Sequence, residues 1–481
     1  MDKGLLKIES LSVNIYGKEI LRNISMEINQ GEQWMIVGGA GAGKTVLAHT
    51  LAGNQAFRGR IEFPDFYKRS YGSKILVVDQ QHRFHDLKNQ SNFYYQQRYN
   101  SFDAEATMTV SEAISVFEEN GHGDFSKKEL LEAFQLDSIL QEPLIQLSNG
   151  ENKRLQILKA LLSFPYLLVL DEPFTGLDAD GRHFLDGLLS KLSASGQYML
   201  LLSSRLHIPD CFNRYAQLQN GELNVFSKQS DILKTETEII PKPRKVFPAA
   251  IDFSYPDFQY AVQMRNVHVE YSGKKILEGI NWNVEKGACW AVTGHNGAGK
   301  STLLSLITAD NPQAYANDIY LFDRKRGTGE SIWEIKQKIG YLSPELHLYF
   351  DPASTAFSAV ASGLFDTIGL FRQVSAEQER QVMDWLEFLD CASYANRLLT
   401  TLPVGVQRLI LLGRAMIKTP PLLILDEPCQ DLDPAQTAFT LQTIDRYCTF
   451  FGASLIFVSH YQEDFPVSIR QILHLEKGRI A

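Results

Sequence analysis

The sequence predicts two α/β domains in one chain, each a largely parallel sheet flanked by helices and opened by an antiparallel strand segment. Three observations predict it. The chain repeats itself at one long interval. Each repeat carries a glycine-rich loop between a strand and a helical stretch. Within each half, short apolar runs alternate with amphipathic stretches.

The repeat comes first. IYGKEILRNISMEINQGEQWMIVGGAGAGKT (15–45) is echoed by EYSGKKILEGINWNVEKGACWAVTGHNGAGKS (270–301), and SFPYLLVLDEPFTGLD (163–178) by KTPPLLILDEPCQDLD (418–433). Tyr16 to Tyr271 spans 255 residues, Lys44 to Lys300 spans 256 and Asp171 to Asp426 spans 255. One register held across three separated motifs indicates a duplicated domain, not a solenoid repeat. The expected limits are 1–228 and 258–481, joined by a connector over 229–257 with prolines at 241, 243, 248 and 256. Those prolines prevent a continuous helix. Residues 5–16 and 262–271 alternate as strands before each glycine-rich loop.

Composition sets the outer bounds. The 481 residues are 44% apolar and 21% charged, a globular balance that excludes a disordered chain. A net charge of −9 makes a bulk electrostatic grip on nucleic acid unexpected. Five scattered cysteines have no metal spacing and fit a reducing compartment. No apolar run reaches the roughly 18 residues of a membrane span, and the N-terminus lacks a signal-peptide pattern. The expectation is a soluble, cytoplasmic protein that meets a membrane only through a partner.

The chemistry lies in the loops. WMIVG leads into Gly38-Gly-Ala-Gly41-Ala-Gly43-Lys44-Thr45, and WAVTG into Gly294-His-Asn296-Gly297-Ala-Gly299-Lys300-Ser301-Thr302. Both match GxxxxGK[ST] between a strand and a helical pattern. Glycines let backbone N–H groups turn inward around phosphate oxygens, and the helix N-terminus adds partial positive charge. Lys44 and Lys300 would reach the β/γ-phosphates of ATP, and the Thr45 and Ser301 hydroxyls would ligate Mg²⁺. Downstream by 127 and 126 residues stand LLVLDEP (167–173) and LLILDEP (422–428). Asp171 and Asp426 suit the Mg²⁺ shell, and Glu172 and Glu427 suit a base polarising the attacking water. A strand followed by an acidic helix cap would not explain the matched interval.

These motifs, with LSNGE (147–151) 24 residues before Asp171, FTGLD (174–178) and VSH (458–460), resemble the ATP-binding cassette (ABC) ATPases. The resemblance covers both halves. It implies two nucleotide-binding domains, each with a mostly parallel core sheet, an antiparallel β subdomain and a helical subdomain. It also implies a head-to-tail pseudo-dimer, with each ATP between the phosphate loop of one half and the signature of the other. Ser148, Asn149 and Gly150 would then complete the γ-phosphate cage, and Tyr16 and Tyr271 would stack on adenine. Gln80 fits the family's Q-loop contact to Mg²⁺ and water, and His460 its switch histidine. The second half further resembles tandem-cassette proteins labelled for molybdenum transport or photorepair, although no residue reveals molybdate.

The halves differ. Pro403, in Leu402-Pro-Val-Gly-Val406, replaces Ser148 and brings neither hydroxyl nor N–H. Arg205 occupies the register of His460, and His207, two residues on, would project elsewhere. Pro344-Glu345 replaces Gln80, and the interval from there to the signature is 67 residues in the first half against 58 in the second. Turnover is therefore expected at the Lys300 site, with Glu427, His460 and LSNGE, and mainly ATP binding at the Lys44 site, with Glu172. Two sites that both work slowly are the alternative. The aromatic cluster of 81–110 reads equally as a partner surface or a packed helix. The function expected is the ATPase subunit of a transporter working with a membrane permease. The alternatives are an ATP-driven switch on ribosomes or repair complexes, and a scaffold with little turnover.

Overall fold

The computed structural model describes residues 5–15, 17–39, 41–63, 75–79, 108–117, 126–144, 147, 149–163, 165–204, 207–231, 246–248, 255–271, 273–348, 350–430 and 432–481. Two compact units divide the chain, Met1–Ile239 and Ile240–Ala481.

The first unit contains β1 (Leu6–Ile15), β2 (Lys18–Ile28), β3 (Trp34–Val37), β4 (Arg58–Glu62), β5 (Ile75–Val78), β6 (Leu167–Asp171), β7 (Tyr198–Ser203), β8 (Arg214–Gln219) and β9 (Glu222–Phe226). Its main sheet has the order β5-β6-β7-β3-β8-β9. The pairs from β5 through β8 are parallel, and β9 closes the edge antiparallel to β8. A second, antiparallel sheet has the order β2-β1-β4.

The second unit repeats this plan. Its strands are β10 (Tyr260–Tyr271), β11 (Lys274–Glu285), β12 (Cys289–Thr293), β13 (Asp318–Leu321), β14 (Arg324–Lys325), β15 (Ile339–Leu342), β16 (Leu422–Asp426), β17 (Ser454–Val458), β18 (Gln471–Glu476) and β19 (Arg479–Ile480). The main sheet runs β15-β16-β17-β12-β18-β19 and the antiparallel sheet β11-β10-β13-β14. The expected mostly parallel core sheets and antiparallel β segments are both present.

The uninterrupted apolar run of LLVLD follows from a sheet covered on both faces. Leu168 and Leu170 enter the core beneath the helices Asn149–Leu162 and Ala179–Ala194. Leu167 and Val169 enter the opposite core, with Leu47 of the helix Lys44–Leu51 and Val13 of β1. All five residues of this strand are buried, as are all five of LLILD in β16.

The helical portion includes Val110–Ser115 and Lys127–Ala133 in the first unit, and Ala356–Ser362 and Ala376–Phe388 in the second. Reciprocal capping boxes start three of them, at Thr109/Glu112, Ser126/Glu129 and Ser375/Gln378. The aromatic cluster of 81–110 falls almost entirely outside the described residues. Two residues of the prolined connector pack within the second unit. Phe247 stacks on Phe388 with ring centroids 4.7 Å apart and meets Trp385, Tyr447, Phe450 and Phe451. The Tyr255 hydroxyl donates to the carbonyls of Gln337 and Lys418, both at 3.1 Å.

Candidate functional site

In each unit the strand order reverses beside the strand that carries the glycine-rich loop, and a cleft for a nucleotide is expected at such a point. Gly38 follows β3, and its N–H donates to Ser203 O at the end of β7 (3.0 Å). A side chain at Gly38 would strike Leu218 O, and one at Gly294 would strike Leu475 O. The loop turns into its helix through Gly43 (φ 106°) and Gly299 (φ 103°), a left-handed backbone that glycine adopts without steric cost. Helices Lys44–Leu51 and Lys300–Ile307 begin there with no side-chain cap, so their first N–H groups have none from a side chain.

Both lysines curl back over their loops. Lys44 Nζ donates to Gly38 O (2.5 Å) and Gly39 O (3.2 Å). Lys300 Nζ donates to Gly294 O (2.7 Å) and His295 O (3.0 Å). In the first unit the Thr45 hydroxyl donates to Asp171 Oδ2 at 2.6 Å. Burial pushes the Asp171 carboxyl up, against the Thr45 hydrogen bond and the Lys44 charge. Asp171 Oδ1 is buried and has no hydrogen-bond partner among the described residues. A hydroxyl against a buried carboxylate with one orphaned oxygen is a hard-oxygen donor set that fits Mg²⁺. Asp426 ends β16 in the same way and is buried.

The acidic residue one step on has a backbone feature that spacing does not reveal. Glu172 (φ 49°) and Glu427 (φ 50°) both adopt the left-handed region. Each is held by its neighbouring strand: Glu172 N–H donates to Leu202 O and Glu427 N–H to Val458 O, both at 2.9 Å. Such strain, about 1–3 kcal/mol per residue, persists only where the surroundings over-determine the backbone.

The side-chain environments of the two carboxylates differ. Glu172 Oε1 lies 3.4 Å from Lys44 Nζ, a buried ion pair. Glu427 Oε1 lies 3.7 Å from His460 Nε2, which follows β17. His207 is turned to the helix Ala179–Ala194, with Nε2 2.9 Å from both Asp186 oxygens and its ring edge-on to Phe174. The Tyr271 hydroxyl accepts from Asn311 Nδ2 (2.8 Å), and the same amide reaches Ser305 Oγ (3.0 Å) on the loop-bearing helix. Pro403 precedes the helix Val404–Met416, which starts without a side-chain cap. Gly150 lies in the first turn of Asn149–Leu162. Glu345 lies in the first turn of Pro344–Leu348. Tyr16, Gln80, Ser148, Arg205 and the Asn149 side chain lie outside the described residues.

The family described as ABC transporter matches residues 21–175 and again 277–430, one span per unit. The chain belongs to this family, as a tandem of two ABC cassettes. The ABC transporter ATP-binding protein ModF of Escherichia coli is 33% identical over 92% of this chain and 91% of its own length. An uncharacterized ABC transporter ATP-binding protein of Schizosaccharomyces pombe is 29% identical over 96% of each chain. Among solved structures, one chain in a model of ribosome-bound archaeal Pelota and ABCE1 matches 98% of this chain and 77% of its own, with TM-score 0.63 and 17% identity. That likeness is one of fold. The cassette family binds ATP, typically with Mg²⁺, and among the described residues no helix is long and apolar enough to cross a membrane.

Proposed function

We propose that this tandem cassette protein is an ATP-driven engine for a membrane permease, with hydrolysis at the Lys300 loop and mainly ATP binding at the Lys44 loop. The observation that carries the unlike-site reading is the pair of carboxylate environments. Glu427 faces a histidine, which can hold a water or a phosphate oxygen beside it, whereas Glu172 is already paired with the loop lysine. Arg205 at the register of His460 and Pro403 at that of Ser148 point the same way.

At the Lys300 loop, the lysine would exchange the Gly294 and His295 carbonyls for β/γ-phosphate oxygens, and the helix N-terminus would face the same charge. Glu427 would take the proton of the attacking water, with His460 orienting the γ-phosphate. Tyr271, fixed through Asn311, would present its ring to adenine. Mg²⁺ would be held by Ser301 and Asp426, and by Thr45, Asp171 and Gln80 in the first cassette, where it neutralises phosphate charge. LSNGE is the signature expected to serve the hydrolytic site. The transport role is supported by the name and extent of the Escherichia coli relative.

The test compares Glu427→Gln with Glu172→Gln in steady-state phosphate release. Removing a placed base costs about 10²–10⁴-fold, so Glu427→Gln should abolish most turnover while Glu172→Gln keeps a substantial part. Equal losses would overturn the unlike-site reading. Affinity purification of the Glu427→Gln protein with ATP, from gently solubilised membranes, should bring down a permease. Ribosomal proteins or repair factors in its place would favour a soluble switch.

A further inference from the structure

The turn that presents Glu427 is tied to a distant helix by one buried cation. Glu427 O accepts from Gln430 N at 3.1 Å, which closes the turn behind the left-handed residue. The Gln430 side chain accepts in turn from Arg408 Nη2 at 2.8 Å. Arg408 is 3% exposed and lies in the second turn of Val404–Met416, the helix that Pro403 introduces. Its neighbour Gln407 spans the start of that helix. Gln407 Nε2 donates to Leu402 O (2.7 Å), and its Oε1 meets His347 Nε2 (2.7 Å) on the helix directly after β15. Two neighbouring residues of this helix thus carry polar contacts in two directions, Gln407 to the segment after β15 and Arg408 to the turn that follows Glu427.

Among the described residues of the first unit, no hydrogen bond joins the corresponding Lys153 and Thr175 side chains. Lys153 stands 255 residues before Arg408, and Thr175 stands 255 before Gln430. Lys153 Nζ donates instead to Asp79 O (2.7 Å), directly after β5. Thr175 N donates to Glu172 O at 3.3 Å. A threonine has no amide to extend toward the helix. A planar guanidinium with several donors suits a buried bridge, where a lysine offers a single flexible charge.

We propose that Arg408 is a positioning residue for hydrolysis: through Gln430 it fixes the turn that aims the Glu427 carboxylate at its water. This rests on Glu427 being the base. The left-handed backbone is held at its N–H by Val458 O, as that of Glu172 is by Leu202 O, and the bridge adds a second hold at the Gln430 end of the turn. The link also places the LPVGV helix in mechanical contact with the hydrolytic carboxylate of its own unit.

The test uses the full chain with Arg408→Met, Gln430→Leu, the double variant, Gln430→Glu and Glu427→Gln. Steady-state hydrolysis and equilibrium ATP binding are measured for each. Misaiming a reacting group by about 1 Å can cost about 100-fold, so kcat should fall by about 10- to 100-fold in Arg408→Met and Gln430→Leu. The KM and Kd for ATP should move little. Because the residues act as one unit, the double variant should lose no more than either single. Gln430→Glu keeps the acceptor and should recover most of the rate. Gln430→Leu leaves the buried arginine in place, so it reports even if Arg408→Met fails to fold. Unchanged kcat in Gln430→Leu, with Glu427→Gln inactive, overturns the positioning role alone. Parallel loss of binding and rate, without recovery in Gln430→Glu, marks a merely structural residue and also overturns it. If Glu427→Gln retains turnover, the base assignment fails first, whatever the Arg408 variants do.

Discussion

His347 illustrates how much one side chain depends on its surroundings. Burial, and then the neighbouring Arg408 charge, lower its pKa from the ordinary 6.5 to about 4, so the ring bonded to Gln407 is neutral near pH 7. An unfolded chain takes up that proton below pH 6.5, whereas the folded protein resists until about pH 4. The stability present above pH 6.5 is therefore lost as pH falls through this window, by at most about 3 kcal/mol from this group. Urea unfolding of the second unit at pH 7, 5.5 and 4 should show the decline. The His347→Gln variant should flatten it, and an identical slope in the variant would assign the effect to other groups. At the same scale, the left-handed backbones of Glu172 and Glu427 were not legible in the sequence. LDEP reads as a strand end, and φ there is imposed by the hydrogen bonds that the two N–H groups donate to the carbonyls of Leu202 and Val458 on a neighbouring strand.

The strand–loop–helix element was legible almost residue by residue, because phosphate cradling needs glycine at fixed places and leaves few other sequences able to do it. Gly299 is the sharpest case. Its φ is 103°, and an added Cβ would come within 2.8 Å of Leu277 Cδ2 on β11. Gly299→Ala should therefore cost about 1–3 kcal/mol in backbone strain and displace the Lys300 helix. The expected readout is loss of one bound ATP in equilibrium titration with modest loss of thermal stability; full retention of both nucleotides would contradict it. The LLVLD and LLILD strands were equally legible from their unbroken apolar runs. The bridge from Arg408 to Gln430 was not, since the helix and the turn meet only in the folded unit and no periodicity marks a hydrogen bond between them. Phe247 escaped for the same reason. A connector with several prolines reads as a spacer, and nothing local announces the aromatic residues that receive it.

Across the whole molecule, duplication predicts duplicate binding. Titration with ATP should count two nucleotides per chain, and Lys44→Ala or Lys300→Ala should each remove one, leaving the other with little change. A count of one in the unmodified protein would refute this. The duplicated sheet order is the structural basis for the expectation, and the unlike residues around Glu172 and Glu427 are the basis for expecting unequal turnover. The seat of Phe247 also bears on how such a chain is made. Its partners Trp385, Phe388, Tyr447, Phe450 and Phe451 all lie far downstream. During synthesis the first cassette can complete its own sheet, since β9 ends at Phe226. Phe247 cannot dock until the chain through residue 451 has emerged from the ribosome. Phe247 therefore takes its full seat late, and a ribosome stalled in the second cassette would hold a finished first cassette while this aromatic side chain still lacked its partners.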